Sequence, residues 1–218
     1  GANIAGFILG TTLFSMFLML SLYMQQVLDY SPLDSGFAYI AVAGSSIVWA
    51  MVAQMLVTRV GVKPVLVTGM SLLTIGLLYF TQVSVEGSYL GDLLPGFLVI
   101  AVGMAFSFVS ISIAALAGVP AEEAGIASGL INTSQQIGGA LGIAVLSSVA
   151  VAHTTDATKA GDAVPQALTS GFQAAFWVGA GIAALGVVAA LTLIRKDELA
   201  TVPTYEAEGE EVAFEAAA

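Results

Sequence analysis

The sequence has no cysteine, one histidine, and only five lysines and arginines among its 218 residues. The lack of cysteine excludes disulfides, thiolate metal ligands and cysteine nucleophiles. The shortage of basic residues excludes the positively charged surface that nucleic-acid binding requires. His153 has no companions that would build a metal site or a catalytic triad. Because no acid, base and nucleophile come together, we predict that the protein is not an enzyme.

Charge is scarce overall, and long apolar runs take its place. Charged residues make up 9% of the chain and apolar residues 58%, against roughly 25% and 45–50% in soluble proteins. Six runs have no charge near their centre, and each is long enough to span a bilayer, which takes roughly 20 helical residues. They cover residues 3–27, 36–57, 64–84, 93–116, 124–151 and 171–194. Since helices satisfy their own backbone in lipid, we predict an all-α membrane protein with a six-helix transmembrane bundle over residues 1–196.

Residues 197–218 form an acidic tail. They hold seven of the fifteen aspartates and glutamates and no basic residue. Segments with so much charge of one sign and few large apolar residues do not bury a core. We therefore predict that this tail is disordered and, from the orientation below, cytoplasmic.

The few cations predict how the chain lies in the membrane. Arg59 and Lys63 follow the second run, Arg195 and Lys196 follow the sixth, and Lys159 lies alone before the sixth. Six crossings place the first two groups on one side, and short cytoplasmic loops collect lysine and arginine. We expect a multi-pass protein with both ends of this segment in the cytoplasm.

Polar side chains distinguish four of the runs from the other two. In the fifth run, small and amide residues recur every three or four positions, from Gly125 and Ser128 through Asn132 to Gly142. This spacing places them along one face of a helix. The first, second and fourth runs carry comparable polar positions, and the third and sixth carry few. We expect helices one, two, four and five to line a cavity, and three and six to support them on the lipid side.

The candidate cavity residues are aromatic, hydroxyl and amide side chains. They are Tyr23, Gln26, Tyr39, Trp49, Gln54, Ser110, Asn132 and Gln136. Plainer roles are open for several of them: Tyr23 lies where an interfacial aromatic belt is expected, and Asn132 and Gln136 can bond across helices. The glycines of the fifth run more often serve close helix packing. A cavity of this composition suits amphiphilic compounds that are cationic or neutral.

Two stretches of the sequence resemble a single protein family. The first joins LYMQQVL at residues 22–28 to YSPLDSG at residues 30–36. The second runs from LPG at 94–96 through AALAGVP at 114–120 and ASGL at 127–130 to GGALG at 138–142. Over residues 1–196 the chain resembles the carboxyl-terminal half of a major facilitator superfamily transporter, of the fourteen-helix drug:proton antiporters of bacteria.

The resemblance implies both a mechanism and a location. It implies export of small hydrophobic or amphiphilic compounds across the bacterial inner membrane, driven by the proton gradient, with no cofactor. It also implies a partner, the amino-terminal half of the same transporter, and alternating access by rocking of the two halves. The chain starts with Gly1 and not with methionine, so we expect it to be part of a longer protein. Because no ionisable residue lies in the middle of a run, we expect the proton-carrying acid in the other half.

One motif departs from the family pattern. The loop TRVGVKP at residues 58–64 resembles the second copy of the superfamily's cytoplasmic gate motif, but Thr58 stands where an acid is expected. Arg59 is the one candidate for a gate residue there, and topology anchoring is the commoner role for Arg59 and Lys63.

The alternative to transport is a self-standing six-helix protein that binds lipid or a partner, which the lack of intramembrane charge motivates. Substrate identity does not follow from these residues.

Overall fold

The computed structural model describes residues 1–194, in which no β-strand is present. The predicted acidic tail, with Arg195 and Lys196, lies outside the described residues. Within residues 1–194, seven α-helices form the bundle, and their bounds are α1 Ala2–Gln26, α2 Pro32–Ala38, α3 Ile40–Val60, α4 Val62–Phe80, α5 Leu94–Leu116, α6 Ala124–Ala160 and α7 Val164–Leu193. A π-helical turn, Tyr89–Leu93, leads into α5, and a 3-10 turn, Ala121–Glu123, leads into α6. With α2 and α3 counted as one span, the described part of the chain has six spans that are long and apolar enough to cross a membrane.

The second span begins earlier than residue 36, where the apolar run starts. Its first turn is built by Ser31 and Asp34: the Asp34 backbone N–H donates to the Ser31 hydroxyl at 3.1 Å, and the Ser31 N–H donates to the Asp34 carboxylate at 3.2 Å. This reciprocal cap satisfies two backbone donors that a helix start otherwise leaves open. The cap starts α2 at Pro32, and the break at Tyr39 separates it from α3.

The fifth and sixth spans are also longer than their apolar runs. Helix α6 continues past Val151 to Ala160, and α7 begins at Val164 rather than near Gly171. Apolar runs mark the part of a helix that lies in lipid, and a helix continues outside it where nothing interrupts the backbone. Gly161, in the left-handed conformation with φ of 100°, ends α6.

The helices form two layers. In the front layer α3 packs on α5, α5 packs on α1, and α1 packs along α6. Behind them, α4 packs against α5 and α7, while α7 also covers α1 and α6. The front layer contains the first, second, fourth and fifth spans, and the rear layer contains the third and sixth.

The seam between α1 and α6 depends on glycine. A side-chain carbon at Gly138 would overlap the carbonyl oxygen of Phe7, and one at Gly142 would overlap the carbonyl oxygen of Thr11. Both pairs are four residues apart on their helices, so the two backbones approach closely for at least one turn. The Ser134 hydroxyl also donates to the Asn3 side-chain oxygen at 3.2 Å across this seam.

The connection between α4 and α5 is tied to its neighbours by side-chain to backbone hydrogen bonds. The Tyr23 hydroxyl of α1 donates to the Ser84 carbonyl at 2.6 Å, and the Gln173 amide of α7 donates to the Val83 carbonyl at 2.7 Å. The Tyr89 hydroxyl reaches the Ala38 carbonyl of α2 at 3.1 Å. These bonds hold the end of the bundle opposite to Arg59.

Candidate functional site

A groove runs between α3 and α5. Its volume is about 550 Å³, within the roughly 300–1,000 Å³ typical of small-molecule sites. It is lined by Ser46, Ile47, Ala50, Gln54, Met104, Ala105, Phe108, Val109, Ser112 and Ile113. On α5, Gly103 and Ser107 face α4, and the lining residues Phe108 and Ser112 lie on the opposite side of the helix. The groove therefore opens on the front of the bundle, away from the rear layer.

Polar groups in the groove are few and neutral. The Ser46 and Ser112 hydroxyls donate to carbonyls of their own helices, Ala43 and Phe108, each at 2.9 Å. Their oxygens keep lone pairs that can accept a hydrogen bond from a ligand. Gln54 is exposed and supplies both a donor and an acceptor. No lining residue carries a charge, so the groove suits a neutral, largely apolar compound with a few hydrogen-bonding groups.

Gln54 is the one predicted cavity residue in this groove. Gln26 lines a second, smaller pocket of about 220 Å³ between α1, α6 and α7. Its walls are formed by Met19, Leu22, Gln26, Ser147, Ala150, Val151, Thr154, Thr155, Leu168 and Phe172. The two pockets share no residue, and the predicted cavity residues as a set do not converge on either one.

Tyr23 and Tyr39 were predicted to line the cavity, but both hydroxyls donate to backbone carbonyls of neighbouring segments. Tyr23 is fully buried, with its hydroxyl on the Ser84 carbonyl and its ring edge-on to Phe172 at 6.0 Å between centroids. Tyr39 is half-buried, and its hydroxyl donates to the Phe17 carbonyl at 2.9 Å. Neither side chain lines the groove between α3 and α5 or the smaller pocket beside α7.

Trp49 and Ser110 lie on the helices that form the groove but not in its lining. Trp49 is 37% exposed and packs edge-on against Phe106, with ring centroids 6.1 Å apart. Ser110 is fully buried, and within residues 1–194 its hydroxyl has no hydrogen-bond partner.

The polar stripe on α6 divides between two faces. Gln135 is 9% exposed and lies against Gly10 of α1. Asn132 and Gln136 are exposed and lie one turn apart on α6. Their role in a cavity stays a prediction, because the described chain places no other element over them.

Arg59 and Lys63 lie at the turn between α3 and α4. The Lys63 ammonium donates to the Leu191 carbonyl at 2.6 Å, which ties the start of α4 to the end of α7. Arg59 is exposed. The one salt bridge among residues 1–194 lies on α6, where Lys159 pairs with Asp156 at 3.7 Å. The described chain thus gives Arg59 no carboxylate partner, in keeping with threonine at position 58.

Sequence reasoning did not assign Ser147 and Thr154 to a site. Ser147 lies eleven residues, about three helical turns, from Gln136 and so on the same side of α6. Thr154 lies beyond the predicted end of the fifth run.

Among the described residues, no three His, Asp or Glu side chains come together as a metal site would require.

A family profile and several known proteins are similar to this chain. The profile described as Major Facilitator Superfamily matches residues 2–143, from the start of α1 into α6. The chain is 30% identical over 189 residues to the puromycin resistance protein pur8 of Streptomyces alboniger, an alignment that covers 84% of this chain and 38% of that protein.

Two further relatives are similar in kind. The lincomycin resistance protein of Streptomyces lincolnensis is 32% identical over 148 residues, which are 68% of this chain and 31% of that protein. The cephamycin export protein CmcT of Amycolatopsis lactamdurans is 29% identical over 154 residues, with coverage of 70% and 32%. The chain spans about a third of the length of these curated relatives.

Proposed function

The chain belongs to the major facilitator superfamily, and from that premise we propose that it is the carboxyl-terminal half of a proton-coupled exporter of small hydrophobic or amphiphilic compounds. The relatives named for resistance to puromycin and lincomycin and for export of cephamycin support export. Their greater length supports a second half as the partner of this one.

The groove between α3 and α5 is the observation that carries the proposal. It combines a drug-sized volume with Gln54, two serine oxygens and the flexible side chain of Met104. An unbranched thioether adapts to ligands of different shape, and few fixed polar groups impose few geometric demands. Such a lining suits a transporter that accepts several compounds.

The amino-terminal half would dock on α3 and α6. In the second span only 17% of the most apolar stretch is buried within this chain, and in the fifth 28%, against 61% in the first. Exposed apolar side chains such as Ile47 and Met51 on α3, and Ile137 and Leu141 on α6, remain on these two helices. Because α3 and α6 flank the front layer, a partner resting on both would enclose the groove.

Coupling to protons would use residues of the other half. In the part of the chain that the structure describes, every Asp, Glu, Lys, Arg and His lies in a connection, in the short helix α2, or within about two turns of the end of a longer helix. Energy would come from the proton gradient without a cofactor. The resemblance to bacterial exporters implies the inner membrane, and the distribution of lysine and arginine would place both ends of this segment in the cytoplasm.

Transport by the complete gene product tests the proposal. The full gene is expressed in bacteria that lack their own efflux pumps, and export of a fluorescent hydrophobic dye is followed with and without an uncoupler. We expect export that stops when the uncoupler collapses the gradient. Export that ignores the uncoupler would contradict proton coupling. A protein that inserts in the membrane but exports no dye, puromycin or lincomycin would favour a binding role without transport.

A further inference from the structure

We propose that the pocket between α1, α6 and α7 is a separate binding subsite for one uncharged aromatic ring that carries a hydroxyl or carbonyl group. Its volume is about 220 Å³. An apolar cavity of about 150 Å³ holds benzene, so this pocket holds one substituted ring. It is smaller than the roughly 300 Å³ at which pockets for whole drug-sized ligands begin.

The inner wall of the pocket favours a ring. Phe172 of α7 is 4% exposed and Met19 of α1 is 1% exposed, so both side chains are fixed by their surroundings. A phenylalanine ring and a thioether sulfur both make favourable contacts with an aromatic ligand. Gln26, Val151 and Thr155 are exposed lining residues, and they come from α1 and α6. The pocket is therefore open on the side away from α7.

Polar groups in the pocket have unused hydrogen-bonding capacity. The Thr155 hydroxyl donates to the Val151 carbonyl of its own helix at 2.8 Å. Among the described residues, the side chains of Gln26, Ser147 and Thr154 make no such bond, although all three line the pocket. They offer donors and acceptors to a hydroxyl or carbonyl group on the ring.

The same lining rejects charged compounds and lipid tails. None of the ten lining residues is ionisable, so a buried ammonium or carboxylate would have no partner for its charge. An acyl chain would cover the amide and hydroxyl groups without bonding to them, and so would deprive these groups of the hydrogen bonds that water or a polar ligand gives. A neutral ring with one polar substituent satisfies both parts of the wall.

This subsite is distinct from the groove between α3 and α5, with which it has no residue in common. The inference rests on the proposed function only for the idea that the ring belongs to an exported compound. Binding of the ring is tested without transport, so the two proposals can fail separately.

Cysteine protection provides the test. The chain has no cysteine, so S147C and S148C each introduce one thiol into this segment. The complete gene product is placed in phospholipid nanodiscs and treated with N-ethylmaleimide, and alkylation at the introduced cysteine is followed by peptide mass spectrometry. The neutral probe is 4-ethylphenol, and the charged probes of the same ring size are 4-ethylbenzoate and 2-phenylethylammonium. S148C is the matched control, because Ser148 is the next residue on α6 and does not line the pocket.

We expect saturating 4-ethylphenol to slow alkylation of S147C about tenfold, because the thiol reacts only in the unbound fraction. Alkylation of S148C should not change, and the charged probes should protect neither variant. Equal protection of both variants, or equal protection of S147C by all three probes, would overturn the proposal. If S147C reacts only after lipid is stripped away in detergent, a lipid occupies the pocket and the proposal is also wrong. A second test compares the single variant T154C with the double variant S147F/T154C. We expect 4-ethylphenol to protect the cysteine in T154C, and we expect no protection in S147F/T154C, because the phenylalanine fills the pocket.

Discussion

The Tyr39 hydroxyl donates a hydrogen bond to the Phe17 carbonyl oxygen at 2.9 Å, at the break between α2 and α3. The Tyr39 ring also lies 5.1 Å from the Phe17 ring and 5.3 Å from the Phe97 ring, measured between centroids. Tyr39 thus fastens the beginning of α3 to α1 and α5. This matters because the second span is the least buried of the six.

Replacing Tyr39 by phenylalanine keeps the ring contacts and removes the hydrogen bond. We expect Tyr39→Phe to lower the free energy of unfolding by about 1 kcal/mol, the usual net value of such a bond. Thermal unfolding of the complete protein in detergent measures it. A changed range of exported compounds with unchanged stability would instead place Tyr39 in the cavity, as the sequence predicted.

The glycine seam gives a prediction with a built-in control. Gly138→Ala places a methyl group on the Phe7 carbonyl and forces α1 and α6 apart. We expect a loss of about 1–3 kcal/mol, the usual cost of overpacking. Gly129 lies on the same helix, and a methyl group added there would have no neighbouring atom within 4 Å, so Gly129→Ala should be neutral or slightly stabilising. Equal destabilisation by both variants, measured by thermal unfolding, would contradict this account of the seam.

The bond from Gln173 to the Val83 carbonyl provides a third prediction. Gln173→Leu leaves that carbonyl without its donor, and we expect a loss of about 1–3 kcal/mol. Gln166 lies near the start of the same helix and is exposed, so Gln166→Leu is the control and should change stability little. If the two variants unfold at the same temperature, the carbonyl finds another donor and the tie is unimportant.

In the groove, Gln54→Leu should change selectivity more than stability. Loss of one ligand hydrogen bond of about 1 kcal/mol corresponds to a roughly fivefold weaker export of compounds that use it. Compounds without hydrogen-bonding groups should be exported as before. Thr68 on α4 is exposed and bonds to its own helix, so Thr68→Val should leave the export profile unchanged. Uniform loss for every compound would mean that Gln54 serves folding and not recognition.

The spans and their two layers followed from hydrophobicity and from the distribution of polar residues, because both record how each helix meets lipid or its neighbours. The sequence did not predict which face of each helix is buried. Gln135 and Gln136 are adjacent in sequence, yet Gln135 is buried against α1 and Gln136 is exposed. Neighbouring residues on a helix differ by about 100° in direction. Only the packing of α1 on Gly138 and Gly142 decides which of them lies in the seam.

The pockets were harder to predict for a similar reason. Tyr23 and Ser110 have the side chains expected of a cavity wall, but tertiary packing buries both. Thr154 lies on the part of α6 that continues beyond the apolar run, where hydropathy gives no signal. The residue types in the sequence indicated the chemical character of a cavity wall. Which residues line the pockets became clear only from the packing of the helices.

Blocking the groove tests the central claim most directly. Ala50 lines the groove, and Ala50→Trp would fill much of its volume. Leu185→Trp adds the same side chain at an exposed position of α7 in the rear layer. With both variants present in the membrane in equal amounts, dye export by the complete transporter should be lost for Ala50→Trp and kept for Leu185→Trp. Normal export by Ala50→Trp would show that substrates do not pass through the groove between α3 and α5.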